Sequence, residues 1–205
     1  MEFSKCYTGE IDLSLNKKYV HLENTYTKML RGAQVQKFYI TDDISQGDIL
    51  YLDDVLYLKE NDTPRSKHHC EKRIVMQGIT GVNEKYRLKM TIADEGMFCA
   101  NSVNYLICGE MIYYFLGLLN SHLLNWFFAK LSTNSNVNGY EVDNIPIKIA
   151  NDALMREVES TVQSLLEEPN NQQMLQELDA VVYKIYSLTE DEQKIVEQRY
   201  RREEK

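Results

Sequence analysis

Proline is scarce in this chain. There are three, Pro64, Pro146 and Pro169, and none neighbours another. Glycine is scarce too, with nine, and no two stand at G-x-G spacing, so a glycine-rich phosphate cradle is excluded. The four cysteines, Cys6, Cys70, Cys99 and Cys108, form no C-x-x-C pair. The start, Met1-Glu-Phe-Ser-Lys-Cys6, is polar and carries no apolar leader. Together these read as free thiols in a reducing compartment and a cytoplasmic chain. No run approaches the roughly 18 apolar residues that a membrane span requires. Four histidines and one tryptophan are too few to found an active site, and no spacing supports a nucleophilic triad, a Cys-His pair or paired catalytic carboxylates. His68-His69-Cys70 is not expected to hold a metal, because adjacent ligands rarely share one tetrahedral centre and no second pair completes it. Neither a catalytic residue nor a metal ligand is expected.

What is present is a body of 205 residues, 43% hydrophobic and 26% charged, enough for one or two packed domains. The net charge of −8 is unevenly spread. Residues 151–205 carry 13 acids against 7 bases, so most of the excess lies there. Within 59–89 the balance reverses: Lys59, Arg65, Lys67, Lys72, Arg73, Lys85, Arg87 and Lys89 face Glu60, Asp62, Glu71 and Glu84. A local basic surface on an acidic protein is compatible with a polyanionic partner.

Periodicity divides the chain into a mixed α/β (α+β) body, 1–148, and a helical C-terminal segment, 149–205. Residues 35–40 suit a short helix or a strand. Residues 49–52 and 55–58 suit strands or a helix–strand pair around Asp53-Asp54. Arg73-Ile-Val-Met-Gln-Gly-Ile79 reads as a buried strand. Residues 86–92 alternate, with Arg87, Lys89 and Thr91 on one face and Leu88, Met90 and Ile92 on the other, as in a half-exposed strand. The sheet continues through 97–100 and 103–107. Residues 111–131 read as one long core helix, striped by Leu116, Leu119, Leu123, Trp126 and Phe127. A polar loop covers 133–139, and Ile145-Pro-Ile147 reads as a short edge strand. A helix capped by Asp152, a second over 174–186, and a third opened by Thr189-Glu-Asp-Glu192 and running to about Arg201 complete the chain.

Four segments carry a resemblance. They are Leu30-Arg-Gly-Ala-Gln-Val-Gln-Lys-Phe-Tyr-Ile40, the strand 73–79, the block Asn101-Ser-Val-Asn-Tyr-Leu106 with Leu118-Leu-Asn-Ser121 and Ile145-Pro-Ile147, and the tyrosine-rich tail 180–192. In order and spacing they resemble the TaqI-like C-terminal specificity domain of type II restriction-modification enzymes. The resemblance implies a non-catalytic domain that docks on duplex DNA. It implies a methyltransferase or endonuclease part in the same or an adjacent chain, where S-adenosylmethionine binds. That catalytic part needs an Asn/Asp-Pro-Pro-aromatic segment, and this sequence has none. No cofactor is therefore expected in this chain. The DNA contacts expected from the resemblance are Arg65, Lys67, His68, Lys72 and Arg73 in a basic loop, and Lys85, Arg87 and Lys89 on the strand face. Asn134, Ser135 and Asn136 in the polar loop either read base edges or only form turns, with Asn134 and Asn136 the candidates for base contact, while the Gln77 amide is expected to bond backbone. The rival reading is a protein–protein interaction module without DNA binding, suggested by the acidic tail and the apolar stripe of 174–186.

Overall fold

A computed structural model describes residues 5–45 and 47–201; the polar start at 1–4 lies outside them. Its main sheet has four antiparallel strands in the order β1 (Tyr7–Thr8), β10 (Val103–Leu106), β7 (Arg73–Gln77), β8 (Met90–Ala93). A second sheet orders β2 (Val20–His21), β6 (Leu50–Leu52), β3 (Thr27–Leu30) and β9 (Phe98–Cys99), with β3 and β9 parallel. The run 35–40 takes the strand option as a hairpin, β4 (Val35–Gln36) with β5 (Tyr39–Ile40). After β6 the chain turns into α1 (Asp54–Glu60), whose N-cap Asp53 accepts the Leu56 N–H. Of the two options for 49–58, the strand–helix pair forms.

The main sheet is covered on both faces. Ile74, Met76, Met90 and Leu106 face the largest core, while Val75, Ala93, Val103 and Tyr105 pack with Leu30, Val35 and Cys99 from the other side. The half-exposed strand expected at 86–92 is corrected accordingly. Regular pairing begins at Met90, and Arg87 and Thr91 are buried although they alternate with apolar residues.

The single long helix is also corrected. Ser121 adopts extended backbone and splits it into α2 (Ile112–Asn120) and α3 (His122–Leu131), and its hydroxyl caps α3 by accepting the Leu124 N–H. The break lets two buried amides face β8. Asn120 accepts the Met90 N–H at 3.1 Å and donates to the Met90 carbonyl at 2.9 Å. Asn125 does the same to Leu88, at 2.8 and 2.9 Å. A strand edge without a neighbour leaves backbone donors and acceptors orphaned. Here two side chains stand in for the neighbour.

After α4 (Gly139–Asp143), the expected edge strand at 145–147 does not form. Tyrosines hold that segment instead: Tyr186 donates to the Pro146 carbonyl and accepts the Lys148 N–H, and Tyr114 donates to the Lys148 carbonyl. Three helices follow, α5 (Asp152–Glu167), α6 (Gln172–Tyr186) and α7 (Glu190–Glu197). Asn151, rather than Asp152, caps α5, and the Thr189–Glu192 capping box opens α7 as expected. Their apolar faces join the core under the main sheet through Val158, Val162, Leu165, Leu178 and Val182. Gly117 permits the approach: a Cβ there would lie 2.5 Å from Val158 Cγ1 and 2.8 Å from Val162 Cγ2.

The asparagine edge gives a direct test. Asn125→Ala orphans both polar groups of Leu88 and is expected to cost about 2–4 kcal/mol, lowering the thermal midpoint by roughly 5–15 °C. Circular dichroism melting reads the shift, and a loss below one degree would show that the amide is dispensable.

Candidate nucleic-acid interface

The strand β7 separates two polar regions. It spans about 13 Å between its ends at the usual rise per residue. Arg73 opens it and Gln77 closes it, so the basic stretch 59–89 does not form one patch.

At the Arg73 end lies the 3₁₀ segment Arg65–Cys70. Arg65 is exposed and donates to the Gly9 carbonyl at 3.0 Å. Lys67 pairs with Asp62 at 2.7 Å, and Lys72 with Asp94 at 3.5 Å, all on the surface. The His68 Nδ1 lies 2.8 Å from the Tyr105 hydroxyl. Burial and then the nearby Arg73 guanidinium hold the His68 imidazole below its ordinary range, so it adds no positive charge at neutral pH. Arg73 itself is inside the protein. Its side chain is 0% exposed, pairs with the equally buried Glu10 at 3.1 Å, donates to the Met97 carbonyl and lies 4.6 Å above the Tyr105 ring. A DNA contact from Arg73 is therefore corrected: it is a structural cation.

Arg87 is corrected on the same ground, at 1% exposure. Its Nε donates to the Thr80 hydroxyl at 3.0 Å. Its terminal nitrogens donate to the Ser132 carbonyl and hydroxyl, each at 3.3 Å, and to the Asn134 carbonyl at 2.6 Å. The planar fork thus fixes the backbone of the polar loop. Lys85 lies elsewhere, half-buried beside His122 and Tyr86, and its carbonyl accepts from Arg199.

At the Gln77 end is a groove of about 680 Å³ lined by Arg31, Gln36, Gln77, Ile79, Lys89 and Ser102, among others. Three chain segments converge on Ser102. The Gly32 N–H donates to its hydroxyl at 3.0 Å, and the Gly78 N–H to its carbonyl at 2.8 Å. A Cβ on Gly32 would lie 2.4 Å from that carbonyl oxygen, so a side chain there would force the segments apart. Residues 78–80 are then laced to the polar loop: Thr80 N–H donates to Ser135, Val137 N–H donates to Gly78, and Ile79 bridges Asn136. Lys89 lines the groove, and the exposed Asn136 bridges the groove residue Ile79, so the loop carrying it and the exposed Asn134 is tied to the groove's edge. Asn134 Oδ1 accepts the Asn136 N–H, which shapes the loop tip. Gln77 bonds the Val35 carbonyl at 2.7 Å, the backbone role expected of it.

Two groove residues, Arg31 and Gln36, were not singled out by sequence reasoning. Both lie in the segment 30–40, which carried the resemblance without residue roles. Arg31 donates through Nη1 to the Asp48 carbonyl, and its Nε is buried without a partner. Gln36 is half-buried beside the groove.

The comparisons with known proteins follow this geometry. A family model for the TaqI-like C-terminal specificity domain matches residues 11–147, which take in the groove, both ends of β7 and the asparagine edge. The chain is also similar in fold to the type IIL restriction-modification enzyme MmeI, solved in complex with DNA, at a TM-score of 0.69 and 11% sequence identity. That likeness covers 98% of this chain and 35% of the enzyme's, so the chain spans about a third of that protein's length. No curated protein matches it. With the family model extending over most of its length, from Ile11 through Ile147, the chain belongs to the TaqI-like C-terminal specificity domain family.

Proposed function

We propose that this chain is the non-catalytic, target-reading part of a restriction-modification enzyme, presenting duplex DNA to a separate catalytic part. The observation that carries the reading is the groove at the Gln77 end of β7, whose rim mixes amides and a lysine on backbone held by converging hydrogen bonds. Asparagine and glutamine amides match the adenine edge in a bidentate way, and lysine matches the guanine acceptors. Gln36, Asn134 and Asn136 would supply the first, and Lys89 the second. The Lys89–Glu84 pair at 3.0 Å is no obstacle, since surface ion pairs are worth little and exchange readily. Arg65, Lys67 and Lys72, beyond the other end of β7, would meet phosphates and set the docking orientation. Arg87 acts indirectly, by fixing the loop that carries Asn134. The methyltransferase or endonuclease, with its S-adenosylmethionine, belongs to the catalytic part, in the same or an adjacent chain. The helices α5–α7 are the surface on which that part would dock.

Selection from a randomised duplex pool, followed by fluorescence anisotropy at fixed salt, tests the reading. Asn134→Ala is expected to relax preference at one base pair by about 1–3 kcal/mol while leaving affinity for unrelated duplexes unchanged. Lys67→Ala should weaken all duplexes in parallel and reduce the slope of log affinity against log salt by about one. Equal affinity for every duplex in the pool would overturn base reading.

The buried fork gives a separate prediction. Arg87→Lys keeps the charge and loses the geometry, so urea unfolding should show a loss of roughly 2–3 kcal/mol. Sequence preference should fade with it, because the loop is no longer held. Unchanged stability would mean that the Ser132 and Asn134 carbonyls are satisfied without the guanidinium.

A further inference from the structure

We propose that His122, Asp179 and Glu197 form a binding site for one divalent first-row metal ion, zinc or manganese, which staples the C-terminal helices to the α/β body. The three residues come from the start of α3, the middle of α6 and the end of α7. One potential ligand atom from each lies within 4.8 Å of the other two. His122 Nδ1 is 2.8 Å from Glu197 Oε1 and 3.2 Å from Asp179 Oδ2. An ion bound at about 2.0–2.2 Å from nitrogen and oxygen ligands needs those atoms only slightly further apart than they stand.

Each ligand is oriented by a partner of its own, as metal ligands characteristically are. The other ring nitrogen of His122 lies 2.9 Å from the Tyr86 hydroxyl, and the ring stacks on Tyr200 at 3.7 Å. Asp179 Oδ1 accepts the His122 backbone N–H at 2.7 Å, which leaves Oδ2 turned to the imidazole. Glu197 is held by the Tyr183 hydroxyl. The Tyr200 hydroxyl donates to the His122 carbonyl and closes the shell.

Electrostatics favour a cation here. Two carboxylates meet one imidazole, an acidic excess at the cluster itself, with Lys85, Lys194 and Arg201 further out on the wall of the adjoining cavity. A cavity of about 630 Å³ opens onto the cluster, with Gln172, Gln176 and Gln193 on its wall. It offers an entry path and room for water ligands. One nitrogen with two carboxylate oxygens suits zinc or manganese rather than the soft ions that thiolates select. This site is independent of the DNA-reading groove and shares no residue with it.

The experiment titrates zinc chloride, and separately manganese chloride, into the chelator-stripped chain, by calorimetry and by thermal melting. One ion per chain is expected to bind. The melting midpoint should rise with the logarithm of free metal once the site is saturated, as binding to the folded state alone requires. Glu197→Gln and Asp179→Asn keep an oxygen for the local hydrogen bond and should each weaken binding at least tenfold with an unchanged circular dichroism spectrum. Cys70→Ser, at the other histidine cluster, should change nothing. The proposal is overturned if neither ion saturates at one per chain. It is equally overturned if Cys70→Ser abolishes binding that Glu197→Gln retains.

Discussion

Two asparagines close an edge that a strand would otherwise have to close. Asn120 and Asn125 each pair with both backbone groups of one residue, Met90 and Leu88, and so fix the helices against β8 at two points. The backbone entering β8 is therefore left without orphaned groups, the usual liability of an edge strand, with the Phe38 N–H adding a further bond to the Met90 carbonyl. The constraint radiates outward. It places Arg87 just before the two paired residues, where its fork can reach the polar loop, and Lys89 between them, at the mouth of the groove. The Ser121 break between α2 and α3 is what brings both amides to the same edge.

Buried cations do the second share of the organising. Arg73 and Glu10 neutralise each other in the interior, and Arg87 donates to neutral oxygens, with the Glu141 carboxylate near enough to favour its charge. Such groups are costly to desolvate and tolerate few alternative arrangements. Their value to the fold is geometric. Arg73 ties β7 to the chain just after β1, and Arg87 ties the segment entering β8 to the loop beyond α3. Of the basic residues in 59–89 that remain outside, Arg65, Lys67 and Lys72 lie beyond one end of β7, Lys89 at the other and Lys85 beside His122.

Much of the framework was legible in the sequence. The apolar, β-branched run at 73–77 is a strand, the leucine stripe of 112–131 is core, and the Thr189–Glu192 box opens a helix. Asn134 and Asn136 stand in a polar loop, as composition suggested. What misled was charge. Arg73 ends a basic stretch and Arg87 alternates with apolar residues, both as exposed cations do, but their partners lie at Glu10 and at Ser132 and Asn134, far along the chain. Local pattern carries no trace of such pairings. Ser121 was equally silent, since a serine in an apolar helix is compatible with continuation. The signal for Asn120 and Asn125 was there, as two amides inside a hydrophobic stripe, but not what they would face. His122, Asp179 and Glu197 share no motif at all, because three elements bring them together only after folding.

The outermost pairing of the main sheet joins Tyr7 to Tyr105 and Thr8 to Asn104, at opposite ends of the body. Closing a loop of that length costs chain entropy before any contact rewards it. The same holds for the parallel match of Met29 with Phe98. Domains dominated by such distant pairings assemble slowly compared with helical ones. On the ribosome, β1 must wait unpaired until β10 has emerged, so the earlier strand of this pair is among the last of the sheet to find its place.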